Sequence, residues 1–212
     1  MAFHPRQAAR SCFRRARRLL DLADANLPHG QKRIRNDLRR LAVVMAVAGL
    51  DAYLHAMVLK KAGFLRSGQI PRSWMKLDVP MDELATLARS VVRARQSGTQ
   101  SRPWVQVGNA LQRRILRQPF QSSEQVSRAV SFCGRKKVWD LAAQRGLGET
   151  PKGVQQELDA IVMRRNQIVH EGDIKRRLKP HKLKFNRVAA ATFRKWVQWI
   201  ENLVDALDSE LA

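Results

Sequence analysis

Arg165-Asn166-Gln167-Ile168-Val169-His170 sets an arginine and a histidine five residues apart near the end of a helical stretch. Together these two residue types suit chemistry at a phosphodiester. Histidine moves protons near neutral pH. A guanidinium holds phosphate oxygens in a bidentate grip and stabilises the charge that develops on them. On RNA the adjacent 2′-hydroxyl supplies the nucleophile, so the reaction needs no metal, and its products would be a 2′,3′-cyclic phosphate and a 5′-hydroxyl. The HxH, HExxH and CxxC spacings of metal sites are absent, and no Gly-rich phosphate loop precedes a helix. No cofactor is expected.

Two geometric expectations attach to this segment. At about 100° per residue, Leu158, Ile161, Val162, Arg165, Ile168 and Val169 fall on one helix face, with Arg165 in the middle of the stripe. A charge facing a core is costly unless it is paired and hydrogen-bonded. Asp51 is the expected partner. With His55, four residues on, it shares a face of an otherwise apolar helix. The other reading has Asp51 meeting a local basic residue or lining a water-filled groove. The second expectation concerns His170, which lies about 140° from Arg165 around a regular helix. One helix does not aim both at a single phosphate. Either the helix unwinds at Glu171-Gly172, or a two-fold partner brings a second Arg165 and His170 to the same groove. Isologous dimers are the commonest oligomers.

The elements that must position these residues read as helices throughout. Leu, Ala, Val, Arg and Lys are abundant and aromatics are few, a mix that favours helix over strand. Residues 1–30 form a basic helix or arm, with Arg6, Arg10, Arg14, Arg15, Arg17 and Arg18 beside Phe13, Leu19, Leu20 and Leu22. Its arginine content is that of a transit peptide, but Asp21 and Asp24 in the same helix argue against one. Residues 31–212 make the main all-α domain, with an insertion at about 63–150. Gln31 to Lys61 spans a helix whose middle, Leu41 to Leu59, is long enough to cross a bilayer. Asp51 and His55 inside the run, its Ala and Gly content and its two basic flanks point instead to a central core helix. Further helices are expected at Met81 to Gln96, Trp104 to Arg117, Val126 to Phe132 after a Ser122–Gln125 cap, and Gly134 to Gln144. The motif helix starts at Thr150-Pro151 and ends at Gly172. Arg187 to Leu211 closes the bundle with a stripe of Phe193, Val197, Ile200, Leu203, Val204 and Leu207.

The chain has 212 residues, with 40 Lys and Arg against 18 Asp and Glu, a formal charge of +22. Charge of this size speaks to partners rather than fold. Nucleic acid stands ahead of anionic membrane, and no membrane association is expected. The plainer reading is an ordinary helical protein of arginine-rich composition. Cys12 and Cys133 are too few for a disulfide framework, which fits a reducing cytoplasm. Lys175, Arg176, Arg177, Lys179 and Lys182 follow the motif directly. Two readings stay open for them: a solvated connector, or a track for an RNA backbone.

Arg165-Asn166-x-x-x-His170 followed by Glu171-Gly172, late in an all-α chain, resembles the HEPN superfamily (higher eukaryotes and prokaryotes nucleotide-binding), with a flavour closest to the RiboL-PSP-type proteins. The resemblance covers about Gln31 to Lys61 and Val154 to Leu211. It implies a HEPN-like helical bundle that dimerises through the motif helices. It also implies a metal-independent endoribonuclease of toxin–antitoxin, phage-defence or RNA-processing systems. By carry-over Arg165 and His170 are catalytic and Asn166 supports them, and an antitoxin or other regulatory protein joins RNA among the partners; Asp51 and His55, from their shared face on the apolar helix, are expected to be supporting. The alternative from a different class is a non-catalytic basic module that binds RNA or assembles on it.

Overall fold

The apolar run Leu41–Leu59 is the axis around which the rest of the chain packs. In a computed structural model describing residues 4–25, 31–62, 74, 80–98, 103–174, 185–186 and 188–211, it forms the middle of helix α2 (Lys32–Lys61). The other described helices are α1 (Pro5–Asp24), α3 (Met81–Gln96), α4 (Pro103–Leu116), α5 (Ser123–Phe132), α6 (Val138–Gln144), α7 (Pro151–Glu171) and α8 (Ala190–Leu211). The fold is all-α. Among the described residues the only extended pairing is an isolated antiparallel bridge between Ile174 and Phe185. By length and composition α2 is the one described helix that could cross a membrane. Here Val43, Val47, Leu50, Leu54 and Met57 are fully buried, and α1, α5, α7 and α8 all pack on α2.

The ends of the helices follow local chemistry. Thr150 accepts a hydrogen bond from Gly153 N at 3.1 Å, and Pro151 fills the first helical position of α7. Ser122 and Gln125 form a reciprocal capping box at α5. Gly172 closes α7 with φ 58°, the left-handed conformation that glycine adopts without a Cβ clash.

The basic N-terminal helix is part of the bundle. One face of α1 carries Ala9, Phe13, Ala16 and Leu20, all buried in the core formed with α2 and α8, and Ala23 is buried as well. Small residues let α1 and α2 come close. A Cβ at Gly49 would sit 3.1 Å from Cys12 Cβ and 3.3 Å from the Phe13 ring. Ion pairs add register. Arg6 pairs with Asp205, and Arg17 with Glu201 at 2.7 Å. Asp24 receives Arg39 and Arg194, each at 2.8 Å. Hydrogen bonds from Arg194 and then Arg39 hold the Asp24 carboxyl below the usual carboxylate range.

The expected insertion divides in its burial. No side chain of α3 is buried. In contrast, Val126, Ala129 and Val130 of α5 and Val138, Trp139 and Ala142 of α6 belong to the same core as α2 and α8. Trp199 of α8 donates to Leu147 O at 2.8 Å, fixing the turn that leads into α7.

At Gly49 the α1–α2 contact leaves no room for a larger side chain. Gly49→Leu should lower stability by about 1–3 kcal/mol through overpacking against Cys12 and Phe13, despite leucine's better helix propensity. The urea midpoint would fall; an unchanged or higher midpoint would mean that α1 is not seated as described.

Candidate active site

The N-terminal half of α7 is anchored by Val154, Leu158 and Ile161, each fully buried. Asp159 adds a tie, accepting from Ser123 N at 2.8 Å and from Ser123 Oγ at 2.6 Å at the start of α5. Beyond Val162 the apolar stripe loses its cover. Ile168 is half-buried, Val169 is 46% exposed, and Met163 on the neighbouring face is 60% exposed.

This changes which arginine the core receives. The stripe places Arg165 at its centre, but the buried guanidinium is that of Arg164, 8% exposed. Arg165 is half-buried, and its Nη1 donates to Asn166 Oδ1 at 2.9 Å. Neighbouring residues stand about 100° apart on a helix. The last turns of α7 therefore turn Arg164 toward protein and leave Arg165 at the margin. What covers Arg164 is the chain that folds back after the helix. Its Nη1 lies 2.5 Å from Asp173 Oδ1, its Nη2 2.8 Å from Asp173 Oδ2 and 3.3 Å from Asn186 O. Arg40 of α2 reaches the same carboxylate, Nε to Oδ2 at 2.5 Å, and its guanidinium lies over the Phe185 ring. Asn186 N donates to Asp173 O at 2.9 Å. Asp173 is 1% exposed and has φ 61°, a left-handed conformation that Asp tolerates better than most residues.

The expected Asp51–Arg165 pair is not formed. Asp51 Oδ1 accepts from Phe120 N at 2.6 Å, and Oδ2 from Gln121 Nε2 at 3.4 Å. His55 Nδ1 lies 2.8 Å from Asp51 O, and Nε2 lies 2.9 Å from Gln118 O and 3.1 Å from Ile115 O. The pair thus fixes the α4–α5 connection on α2 and borders an open groove lined also by Ala48, Ala52 and Leu116. Apart from the Gln121 amide, its partners are backbone groups, which a reading of side-chain charge does not reveal.

His170 is exposed in the last turn of α7, and Asn166 is exposed one turn before it. That end of a helix favours a cation whatever else the histidine does. The helix stays regular through Glu171, so unwinding does not swing His170 toward Arg165. Arg165 Nε is buried and has no hydrogen-bond partner among the described residues. Leaving such a donor unmet costs about 1–3 kcal/mol.

No family model, curated protein or solved structure matches this chain. Lys175, Arg176, Arg177, Lys179 and Lys182 lie outside the described residues. Neither cysteine is disposed to act as a nucleophile. Burial pushes the Cys133 thiol up to about 11 and raises that of Cys12.

Arg164, Asp173, Arg40 and Asn186 were not legible as a unit, although an Asp directly after a helix-ending glycine was a signal for a special turn. Asp173→Asn keeps the side-chain shape and the tolerance of the turn while deleting the charge that two arginines share. It should cost about 3–5 kcal/mol, as expected when one partner of a buried ion pair is removed. Arg165→Ala should cost far less. Denaturant unfolding of the two variants ranks them, and the reverse order would remove Asp173 from its structural role.

Proposed function

We propose that this chain is a metal-independent endoribonuclease of the HEPN type, acting as a homodimer through the ends of its motif helices. The observation that carries this reading is the placement of Arg165, Asn166 and His170 within the last two turns of α7, with Asn166 and His170 exposed and Arg165 Nε buried without a hydrogen-bond partner among the described residues. The neighbouring Met163 and Val169 are exposed apolar side chains that a second copy could cover. The all-helical architecture and the charge of +22 fit the same reading.

The chemistry proceeds by transesterification. One His170 takes the proton of the 2′-hydroxyl as the 2′-oxygen bonds to phosphorus. The bond from phosphorus to the 5′-oxygen breaks, and the leaving oxygen takes a proton from the partner's His170 or from water. Arg165 neutralises charge on the non-bridging oxygens during the transfer. Asn166, already bonded to Arg165, aims the guanidinium. Toxin, phage-defence and RNA-processing roles, a regulatory partner such as an antitoxin and a cytoplasmic location are compatible with this chemistry.

A non-catalytic RNA-binding or assembly module is the second reading. The 140° separation of Arg165 and His170 on a regular α7 favours it for an isolated protomer.

Purified protein should cut single-stranded RNA in the presence of EDTA, leaving cyclic phosphate ends and sparing the all-deoxy analogue. His170→Ala should lower the rate by roughly 10²–10⁴-fold while leaving RNA affinity nearly intact. Uncut RNA with clean wild-type protein, with and without metal, would sink the enzyme reading.

Mixing separates a shared site from a single-chain one. If the groove takes Arg165 from one protomer and His170 from the other, unfolding and refolding Arg165→Ala with His170→Ala should recover part of the wild-type rate. No recovery, in a mixture shown to contain heterodimers, would place both residues of each site on one chain.

A further inference from the structure

The arginines of α1 fall into two sets. Arg6 and Arg17 turn toward α8 and are paired there with Asp205 and Glu201. Arg10, Arg14, Arg15 and Arg18 are exposed and form no ion pair or hydrogen bond among the described residues. Arg10, Arg14 and Arg18 are four residues apart, so they climb exposed positions of α1 about one per turn, about 6 Å apart along the axis and each turned about 40° from the last, from the flank beside Arg6 and Arg17 at Arg10 to the side away from the core at Arg18. Like charges at this spacing repel and weaken a helix. The acidic residues of the same helix do not relieve the repulsion, because Asp24 is held by Arg39 and Arg194, and Asp21 by Arg194.

The ladder has a direction. Adjacent residues of α2 tie the two relevant helix ends together: Arg39 holds Asp24 at the end of α1, and Arg40 holds Asp173 just past the end of α7. Counting back from Asp24, Arg18, Arg14 and Arg10 stand about 9, 15 and 21 Å along the axis of α1. A line of unneutralised guanidiniums therefore leads away from the end of the motif helix.

We propose that Arg10, Arg14, Arg15 and Arg18 form a backbone track on which a single-stranded RNA lies on its way to the end of α7. The track takes phosphates without reading bases. A membrane surface fits less well. A helix that lies in a bilayer interface buries its apolar face in lipid, and the apolar face of α1, from Ala9 to Ala23, is already buried in the bundle. The proposal rests on the RNA reading above, but not on cleavage.

The test is the salt dependence of binding to a short, mixed-sequence 2′-O-methyl oligoribonucleotide, which lacks the attacking hydroxyl and stays intact on the wild-type protein. Arg10→Ala, Arg14→Ala and Arg18→Ala are combined. All three positions are exposed, and alanine favours helix, so unchanged circular dichroism is the expected control. Removing three contacts to a single strand should reduce the slope of log K against log salt by about 2, so that between 50 and 200 mM salt the wild type loses roughly 20-fold more affinity than the variant. A comparison variant with Arg135, Lys136 and Lys137 changed to alanine removes equal charge from another exposed stretch and should retain the wild-type slope. An unchanged slope in the α1 variant overturns the track. An equal fall in both variants overturns it too, since the charge then acts diffusely. So does a loss confined to vesicles containing phosphatidylserine. If ordinary RNA stays uncut by the wild type while the slope still falls, catalysis fails and the track stands. Cleavage with an unchanged slope gives the converse.

Discussion

A buried carboxylate in a chain with 40 Lys and Arg against 18 Asp and Glu attracts whichever arginines can reach it, and Asp173 attracts two. Arg164 meets it from α7 and Arg40 from α2. The contact sets where the chain goes after Gly172 and how the end of α7 stands against α2. It also decides which side chains remain free. With Arg164 turned inward, the next residue falls at the margin of the core, and the following turn points outward. The exposure of Asn166 and His170 is a consequence of where Arg164 finds its anion.

The same shortage of carboxylates organises α1. Glu201, Asp205 and Asp208 of α8 and the two acids of α1 are matched to Arg6, Arg17, Arg39 and Arg194, and these matches join α1, α2 and α8. Pairs this exposed contribute little stability singly. Their value lies in register, since the apolar contacts of Phe13 and Leu20 with the core are not directional. The arginines left unmatched are exposed, and Arg14, Arg15 and Arg18 lie on the side away from the bundle. A helix can be basic and structural at once when its two faces are assigned in this way.

Most helices were legible because their ends carry their own chemistry. Thr150-Pro151, Ser122 to Gln125 and Gly172 each form the cap their residue types allow. The apolar stripe of α8 is buried as its periodicity requires. The error at Arg165 has a specific origin. Periodicity gives a face, but not how far along that face the core extends. The covered part of the apolar stripe ends near Val162, two residues before the arginine pair. Choosing between Arg164 and Arg165 needs the partner, and Asp173 lies beyond a left-handed turn where helical spacing no longer applies. Asp51 and His55 were correctly placed on one face, but they answer to backbone groups of residues 115 to 120.

The 140° between Arg165 and His170 would be a defect in a site made by one chain. It becomes a constraint on assembly if phosphoryl transfer is the function. Transesterification needs a proton taken at one oxygen and a proton given at another, at the same phosphorus. One histidine in one position serves the two oxygens poorly, because attacking and leaving oxygens lie in line on opposite sides of phosphorus. Two copies of His170 related by a two-fold axis could address both. The same axis would place two arginines on the non-bridging oxygens between them. A two-fold contact through the exposed end of α7 could also cover Met163 or Val169, two of the apolar side chains that the protomer leaves to solvent. On the proposed function, the apolar contact and the proton transfers would call for the same arrangement of two chains.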